Sequence, residues 1–178
     1  PTVTSIVTEL EEAGLILAEK SNINTGGRSS MAYICDENAR YAIGIQLSER
    51  YMKGLILNLQ GKIVGKVITK KLKFQADDIY RQEIGKLYEQ LVEANQLKET
   101  QILGVGITVE GLTDIEGEHV TCSFVEEMAD ARRKELAKYI SIENRLFHDM
   151  TAAGYNQKLR RGENVFYLSL NSSIGGTI

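Results

Sequence analysis

Glycines and one carboxylate follow the predicted strand ends of the chain, which is where open α/β sheets tend to bind ligands. They are Gly111, Asp149, Gly175 and Gly176. Asp149 could accept a hydrogen bond from a ligand hydroxyl or act as a base, or it could cap the helix that follows it. The glycine pair could form a turn whose N–H groups approach a phosphate or a sugar, or a hairpin turn that needs positive φ. These residues favour a small-molecule site at one edge of a sheet.

Composition is that of an ordinary globular protein and excludes several kinds of site. The chain has 178 residues, of which 43% are hydrophobic and 25% charged. No apolar run approaches the roughly 18 residues of a membrane helix and no signal peptide opens the chain, which predicts a cytoplasmic protein without membrane contact. Neither Cys35 and Cys122 nor His119 and His148 have metal-ligand spacing, so no metal, cofactor or disulfide is predicted in these residues.

The elements that must position the strand ends are predicted from hydrophobic periodicity. Alternation predicts three strands joined by short turns, which implies an antiparallel meander. A nearly continuous apolar run over 102–109 is typical of a strand that is buried on both faces, as in a parallel sheet. The strands are expected at 41–47, 52–59, 62–72, 102–109, 144–147 and 165–170, and the helices at 79–97, 129–139 and 151–159. This order, βββαβαβαβ, predicts an α/β domain.

The first 34 residues have a different pattern. Residues 3–13 place apolar side chains on one helical face, and Gly14 marks the end of the helix. Two short strands, at 15–19 and 30–34, flank a turn rich in Asn and Gly, which predicts a hairpin. A helix followed by a hairpin is the second half of a winged helix-turn-helix. Because a lone helix of about a dozen residues is marginal in water, we expect partner helices before Pro1.

In that motif the helix enters the major groove of DNA, and the wing contacts the backbone or the minor groove. The candidate DNA-binding residues are Thr2, Thr4, Ser5, Thr8 and Arg28. The hydroxyl groups near the helix start could instead simply cap and solvate a surface helix. Residues 1–34 carry a net charge of −2 within a chain of net charge −3, so residues upstream of Pro1 would have to supply positive charge.

Five segments carry a resemblance to a known family, in the same order along the chain. They are residues 1–16 with the wing sequence Gly27-Arg28, the strand 41–48, the glycine-rich strand 103–111, the segment 147–153 and the glycine-rich turn 168–178. These segments resemble the ROK family of repressors and sugar kinases. The resemblance implies an actin-like ATPase lobe of ribonuclease-H-like fold at 39–178, preceded by a partial winged helix-turn-helix at 1–34. It also implies a second lobe after Ile178 with a structural zinc motif, so the chain is interpreted as a fragment.

Departures from the family pattern separate a repressor from a kinase. The kinases of the family carry Asp-x-Gly-Gly-Thr after the first strand, where the Asp organises Mg²⁺ and the glycines approach the ATP phosphates. This chain has Gln46, Ser48, Glu49 and Arg50 there, and Glu49 would place a carboxylate where phosphate should sit. The resemblance therefore implies no kinase activity and no catalytic residue.

The resemblance also implies a sugar site. Asp149 matches the catalytic base of the family and is expected to hold a sugar hydroxyl, with Gly111 and His148 as further sugar-binding residues. His148 replaces the Asn of the family motif, and Glu110 replaces a Pro. The expected function is a sugar-responsive transcriptional repressor that binds operator DNA and a small carbohydrate effector, as a homodimer or higher homo-oligomer. Two alternatives stay open, an ATP-dependent sugar kinase and a ligand-independent scaffold of the same family.

Overall fold

The computed structural model describes residues 2–20, 31–161, 165–170 and 174–178. The helices are α1 (Val3–Glu12), α2 (Asp78–Ala94), α3 (Arg133–Leu136) and α4 (Asp149–Arg161), with 3₁₀ turns at Glu99–Gln101 and Glu126–Met128. The strands are β1 (Ile16–Lys20), β2 (Met31–Cys35), β3 (Tyr41–Leu47), β4 (Tyr51–Asn58), β5 (Ile63–Lys71), β6 (Ile102–Val109), β7 (Gly111–Thr113), β8 (Val120–Ser123), β9 (Asn144–His148), β10 (Tyr167–Leu170) and β11 (Ile174–Thr177). Within these ranges no helix is both long and apolar enough to cross a membrane.

A five-stranded mixed sheet forms the centre of the fold, in the order β5-β4-β3-β6-β9. β3, β4 and β5 form the predicted antiparallel meander, and β6 and β9 run parallel to β3. Parallel neighbours need long crossover connections, and α2 lies in the one that leads to β6. The predicted α/β class is confirmed, and the ends of these five strands agree with the prediction to within one residue.

Helix α2 covers one face of the sheet and forms the core with it. The fully buried side chains include Ile43, Ile45, Met52 and Ile56 from the sheet and Ile84, Leu87 and Leu91 from the helix. Burying each such side chain stabilises the fold by about 1.5–3 kcal/mol. A Cβ added at Gly54 would lie 2.6 Å from Leu91 Cδ1, so the glycine allows the helix to approach closely. Asp77 caps the helix by accepting a hydrogen bond from Tyr80 N–H at 2.7 Å.

Residues 129–139 do not form the single helix that the pattern predicts. Only Arg133–Leu136 are helical, after the 3₁₀ turn Glu126–Met128. Asp130 between them has φ of 62°, in the left-handed region that ends a helix. The carbonyl of Ala131 accepts Val120 N–H at 2.9 Å, so this segment lies against β8 before α3 begins. Tertiary hydrogen bonds therefore override the local helical pattern.

Gly175 and Gly176 were expected in a turn, and that prediction is wrong. Both lie inside β11, where Gly175 is paired with Ser169 and Gly176 with Leu168 of β10, and neither has positive φ. A Cβ at Gly175 would lie 2.8 Å from the Met150 side chain. The glycine is needed because α4 packs closely against this hairpin, and a turn plays no part in it. Residues 171–173, between the two strands, lie outside the described residues.

The amino-terminal residues form the predicted helix and hairpin. α1 spans Val3–Glu12, and β1 and β2 are antiparallel with Ile16 opposite Cys35. No residue of α1 is buried, and Val3 and Ile6 on its apolar face are 79% and 47% exposed. Residues 21–30, which include Arg28, lie outside the described residues. The assignment of residues 1–34 as a DNA-binding domain and of 39–178 as a separate lobe stays a prediction.

Candidate functional site at the sheet edge

The candidate site lies at the edge of the sheet where three parallel strands end together. Leu47 at the end of β3 pairs with Val109 of β6, and Val109 pairs with His148 of β9. The next residues along the chain, Ser48, Glu110 and Asp149, therefore leave the sheet side by side. Among the described residues no group of three or more His, Cys, Asp or Glu side chains is arranged to hold a metal ion.

Glu110 closes the turn between β3 and β4. Its carboxylate accepts the Ser48 hydroxyl at 2.6 Å and the Glu49 N–H at 2.9 Å. Hydrogen bonds to a charged acceptor are short and about twice as strong as neutral ones. Ser48 is 5% exposed, so its hydroxyl is shielded from water, and both donors are already used. The carboxylate at this turn was expected from Glu49, but the Glu49 side chain lies near Arg50, at 3.5 Å from its Nε.

The environment behind Glu110 is weakly polar. The Tyr80 side chain, at the start of α2, is 2% exposed and packs against Phe74 with a ring separation of 4.8 Å. Its phenol O–H has no hydrogen-bond partner among the described residues. Burial raises the pKa of Tyr80, and the negative charge of Glu110 raises it further. A second anion at this end of the sheet would therefore be repelled by the Glu110 carboxylate. It would also lie near the buried Tyr80 side chain, where water cannot solvate its charge.

Asp149 is the first residue of α4, and its environment differs from that of Glu110. One carboxylate oxygen accepts Met150 N–H at 2.8 Å and lies 3.4 Å from His148 Nε2. The other nitrogen of His148 is 3.1 Å from the Thr151 hydroxyl. Partial burial raises the pKa of Asp149, with the charge of Glu110 adding to the increase and His148 opposing it. This hydrogen bond comes from the next residue, whereas a capping side chain accepts from an N–H two or three residues further on. The capping role of Asp149 therefore stays a prediction, and its carboxylate keeps further acceptor sites.

A shallow groove beside His148 has both apolar and polar walls. It has a volume of about 280 Å³ and lies between the β7–β8 hairpin and the start of α4. Ile115 and Phe147 contribute apolar surface, and Thr113, His148 and Thr151 contribute polar groups. This combination suits a small ligand that has both hydroxyl groups and apolar faces.

Gly111 is explained by packing. A Cβ on this residue would lie 2.7 Å from the Cys122 carbonyl oxygen and 2.9 Å from the Val120 side chain. The Ser123 hydroxyl donates to the Glu110 carbonyl at 2.6 Å and accepts Val125 N–H at 3.0 Å, which fixes the hairpin at the sheet edge. Gly111 thus positions the wall of the groove, while its role as a sugar contact stays a prediction.

Thr2, Thr4, Ser5 and Thr8 lie in or beside α1, whose end meets the start of β3, where Arg40 donates to the Ala13 carbonyl. They therefore lie away from the strand ends of the candidate site, and Arg28 lies outside the described residues. Thr2, Thr4 and Ser5 are exposed, and Thr2 makes no side-chain hydrogen bond to cap the helix. Thr8 donates its hydroxyl to the Thr4 carbonyl at 3.0 Å. The alternative that these hydroxyl groups cap α1 therefore gains no support at Thr2. DNA contact itself stays a prediction.

Similarity to known proteins extends over nearly the whole chain, although no family model matches it. Over 98% of its length it is 24% identical to the xylose repressor of Bacillus subtilis (strain 168). Its fold superposes on a ROK family transcriptional regulator, a homologue of the E. coli MLC protein, with a TM-score of 0.72 and 19% identity, covering 97% of this chain and 45% of that chain. The predicted resemblance to the ROK family is confirmed.

The ROK fold is shared with kinases over a smaller part of the chain. A ROK family glucokinase from Streptomyces griseus, solved in complex with glucose and AMPPNP, gives a TM-score of 0.63 at 16% identity, covering 76% of this chain and 43% of that chain. The chain spans 46% of the length of the xylose repressor, about half of the curated relatives that it matches. The similarity to ROK proteins therefore concerns about half of the length of those proteins.

Proposed function

We propose that the chain is part of a carbohydrate-responsive transcriptional repressor that binds operator DNA and has no kinase activity. The observation that carries the proposal is the position of Glu110, whose carboxylate bonds the Ser48 hydroxyl and the Glu49 N–H. In the kinases of the ROK family, donors of this turn serve nucleotide phosphates. Here an internal anion uses them.

Electrostatics supports the proposal that this turn does not bind a nucleotide. Two negative charges 4 Å apart repel by about 4 kcal/mol at the effective dielectric constant of a protein surface. A phosphate near Glu110 would be repelled by about that much. The Ser48 hydroxyl and the Glu49 N–H could not donate to it, because they already donate to Glu110. Gln46 is neutral and offers no charge to hold Mg²⁺, which could offset the repulsion.

The extent of similarity supports a repressor over a kinase. The regulator related to the MLC protein covers 97% of the chain, and the glucokinase covers 76%. The difference is about the share of the chain that precedes β3, which contains α1 and the β1–β2 hairpin. A helix followed by a hairpin is what the second half of a winged helix-turn-helix requires.

The carbohydrate would be held at the open part of the sheet edge. Asp149 can accept hydrogen bonds from sugar hydroxyls, and the groove beside His148 offers polar and apolar walls. The similarity to a xylose repressor favours a pentose or a related sugar as the effector. Binding would favour one arrangement of the lobe over another and so change the fit of the reading helices to DNA.

One contact joins the end of α1 to the residue that precedes β3, where Arg40 donates to the Ala13 carbonyl at 3.4 Å. Asp36 N–H donates to the Leu15 carbonyl at 2.9 Å within the amino-terminal segment. We expect a homodimer or higher homo-oligomer in the cytoplasm, because two reading helices must match two operator half-sites. The expected second lobe would carry the structural zinc site that the resemblance implies.

The DNA-binding part is tested with Thr4→Ala and Arg28→Ala in the full-length protein, using duplexes selected for binding to the parent. Thr4→Ala should change the sequence preference, because its hydroxyl is exposed on α1. Arg28→Ala should weaken binding to many sequences and lower the salt slope by about one unit, as a lost phosphate contact does. If the arginine enters the minor groove, the variant should chiefly weaken binding to AT-rich sites. If both variants bind every duplex as the parent does, this helix and hairpin do not read DNA.

A further inference from the structure

Positive charge is strongly segregated along the chain. Seven of its 21 Lys and Arg residues lie between positions 50 and 73, and none of its 24 Asp and Glu residues does. The seven are Arg50, Lys53, Lys62, Lys66, Lys70, Lys71 and Lys73. This stretch is the β4–β5 ribbon with its flanking residues. A chain of net charge −3 therefore concentrates a third of its positive charge on two adjacent strands and the residues that flank them.

Some of these cations are neutralised within the fold. Lys62 pairs with Glu37 at 2.9 Å, and Lys70 pairs with Glu83 of α2 at 3.2 Å. Lys53, Lys66 and Lys71 have no carboxylate partner among the described residues. We call these three lysines the cationic ribbon. A free ammonium group in water interacts with an approaching polyanion without first losing an internal partner.

The register of the strands aims part of the ribbon away from the core. Tyr51 lies opposite Lys71, and Lys53 lies opposite Thr69, so these four side chains share one face. The neighbouring residue Met52 is fully buried on the other face, against α2. Lys53 Nζ lies 5.4 Å from the Tyr51 ring centroid, a cation–π contact that holds the amine beside the ring.

The ribbon begins where the amino-terminal segment joins the sheet. Leu59 N–H, in the β4–β5 turn, donates to the Glu37 carbonyl at 2.9 Å, and the Lys62–Glu37 pair lies at the same place. β5 runs from this junction for nine residues, a length of about 30 Å. That length corresponds to roughly nine base pairs of duplex DNA.

A second explanation for these lysines is that they protect the edge strand β5 from pairing with other chains, but it does not account for all three. Lysine on an edge strand deters pairing with other chains. Lys66 and Lys71 lie on the edge strand β5, but Lys53 lies on β4, which is hydrogen-bonded on both sides. Protection of an edge strand also does not explain why no Asp or Glu occurs between positions 50 and 73.

We propose that the cationic ribbon binds the phosphate backbone of the DNA that flanks the site read by α1. The inference rests on the proposed DNA-binding function and adds a second contact surface to it. Residues 1–34 carry a net charge of −2, so the positive charge for DNA binding has to come from another part of the protein. The ribbon supplies it next to the segment that reads the sequence.

The test compares three full-length proteins by fluorescence anisotropy on random-sequence duplexes of 24 and 44 base pairs, over a range of salt concentrations. They are the parent, the ribbon variant Lys53→Gln/Lys66→Gln/Lys71→Gln, and the control Lys98→Gln/Arg132→Gln/Lys134→Gln. The control removes the same charge from exposed positions elsewhere. Melting temperatures establish that all three proteins are folded.

The ribbon variant should lose about two to three units of salt slope on the longer duplex, because each lost phosphate contact contributes about 0.9. Its affinity at moderate salt should fall at least tenfold, and the control should bind like the parent. Equal salt slopes for the ribbon and control variants would contradict DNA binding by the cationic ribbon. They would leave the proposal that α1 reads the DNA sequence unaffected. Absence of duplex binding by the parent would overturn the proposed function as well. Competition by polyglutamate as strong as that by DNA would assign the ribbon to an acidic protein and overturn its assignment to DNA.

Discussion

The two halves of the sheet edge differ in how their carboxylates are used. At the ends of β3 and β6, Glu110 binds the Ser48 hydroxyl and the Glu49 N–H, so that half is closed by the protein itself. At the end of β9, Asp149 bonds one N–H of its own helix and faces His148 across 3.4 Å. At the same end of one sheet, one carboxylate therefore has two internal donors, and the other accepts one internal N–H and keeps further acceptor sites. Changes at each half should have separate consequences.

The largest effect is expected from Asp149, at the end of β9, which we call the open half of the site because its carboxylate keeps acceptor sites. Asp149→Ala should weaken carbohydrate binding by several-fold to about a hundredfold, because a sugar hydroxyl left without its partner costs about 1–3 kcal/mol. Stability should change less, by about 1 kcal/mol, since the loss is one hydrogen bond at a helix start. Calorimetric titration of a sugar panel that includes xylose measures the affinity. Glu116→Ala removes an exposed carboxylate near the groove and serves as the control; equal affinity in all three proteins contradicts the role of Asp149.

The closed half should contribute mainly to stability. Glu110→Ala leaves the buried Ser48 hydroxyl and the Glu49 N–H without their acceptor, which should cost about 1.5–3 kcal/mol of unfolding free energy. Glu110→Gln should cost less, because its amide oxygen still accepts. Urea denaturation measures both, again beside Glu116→Ala. If Glu110→Ala unfolds at the same urea concentration as the control, the Glu110 carboxylate does not hold the turn.

A smaller effect concerns the pH dependence of the open half. Partial burial raises the pKa of Asp149, so the native protein holds this proton at pH values where the unfolded chain has released it. The stability contributed by Asp149 is therefore present at low pH and is lost as pH rises from about 3.8 through the native pKa. Relative to the parent, Asp149→Asn should become more stable across that range. Glu110→Gln should reduce the rise, because the Glu110 charge helps to raise the pKa of Asp149; a flat difference between Asp149→Asn and the parent contradicts the burial of the carboxylate.

Sequence patterns predicted the elements with long periodic runs and missed those that depend on tertiary contacts. The strands of the central sheet follow from alternation and from the apolar run of β6, and α2 follows from its helical period. The β7–β8 hairpin has strands of three and four residues, too short to show a period. Gly175 could not be assigned to a strand without its pairing with Ser169 of β10, which spacing does not show.

The same distinction applies to the candidate site. The position of Asp149 after a strand was readable from the sequence, since the strand itself was predicted correctly. The bond between Ser48 and Glu110 joins residues 62 positions apart and depends on the register in which Leu47 meets Val109. The replacement of a family Pro by Glu110 was the only signal in the sequence, and its partner could not be inferred from spacing.

The central claim is that this sheet edge senses a carbohydrate and no longer transfers phosphate. It is tested most directly by following duplex DNA bound to the full-length protein during a sugar titration, with ATP and Mg²⁺ present and ADP assayed in the same samples. We expect a sugar to change the DNA affinity of the parent without ADP production, and we expect Asp149→Ala not to respond. Sugar-dependent ADP production that is lost in Asp149→Ala would contradict the claim, as would DNA binding by the parent that no sugar alters.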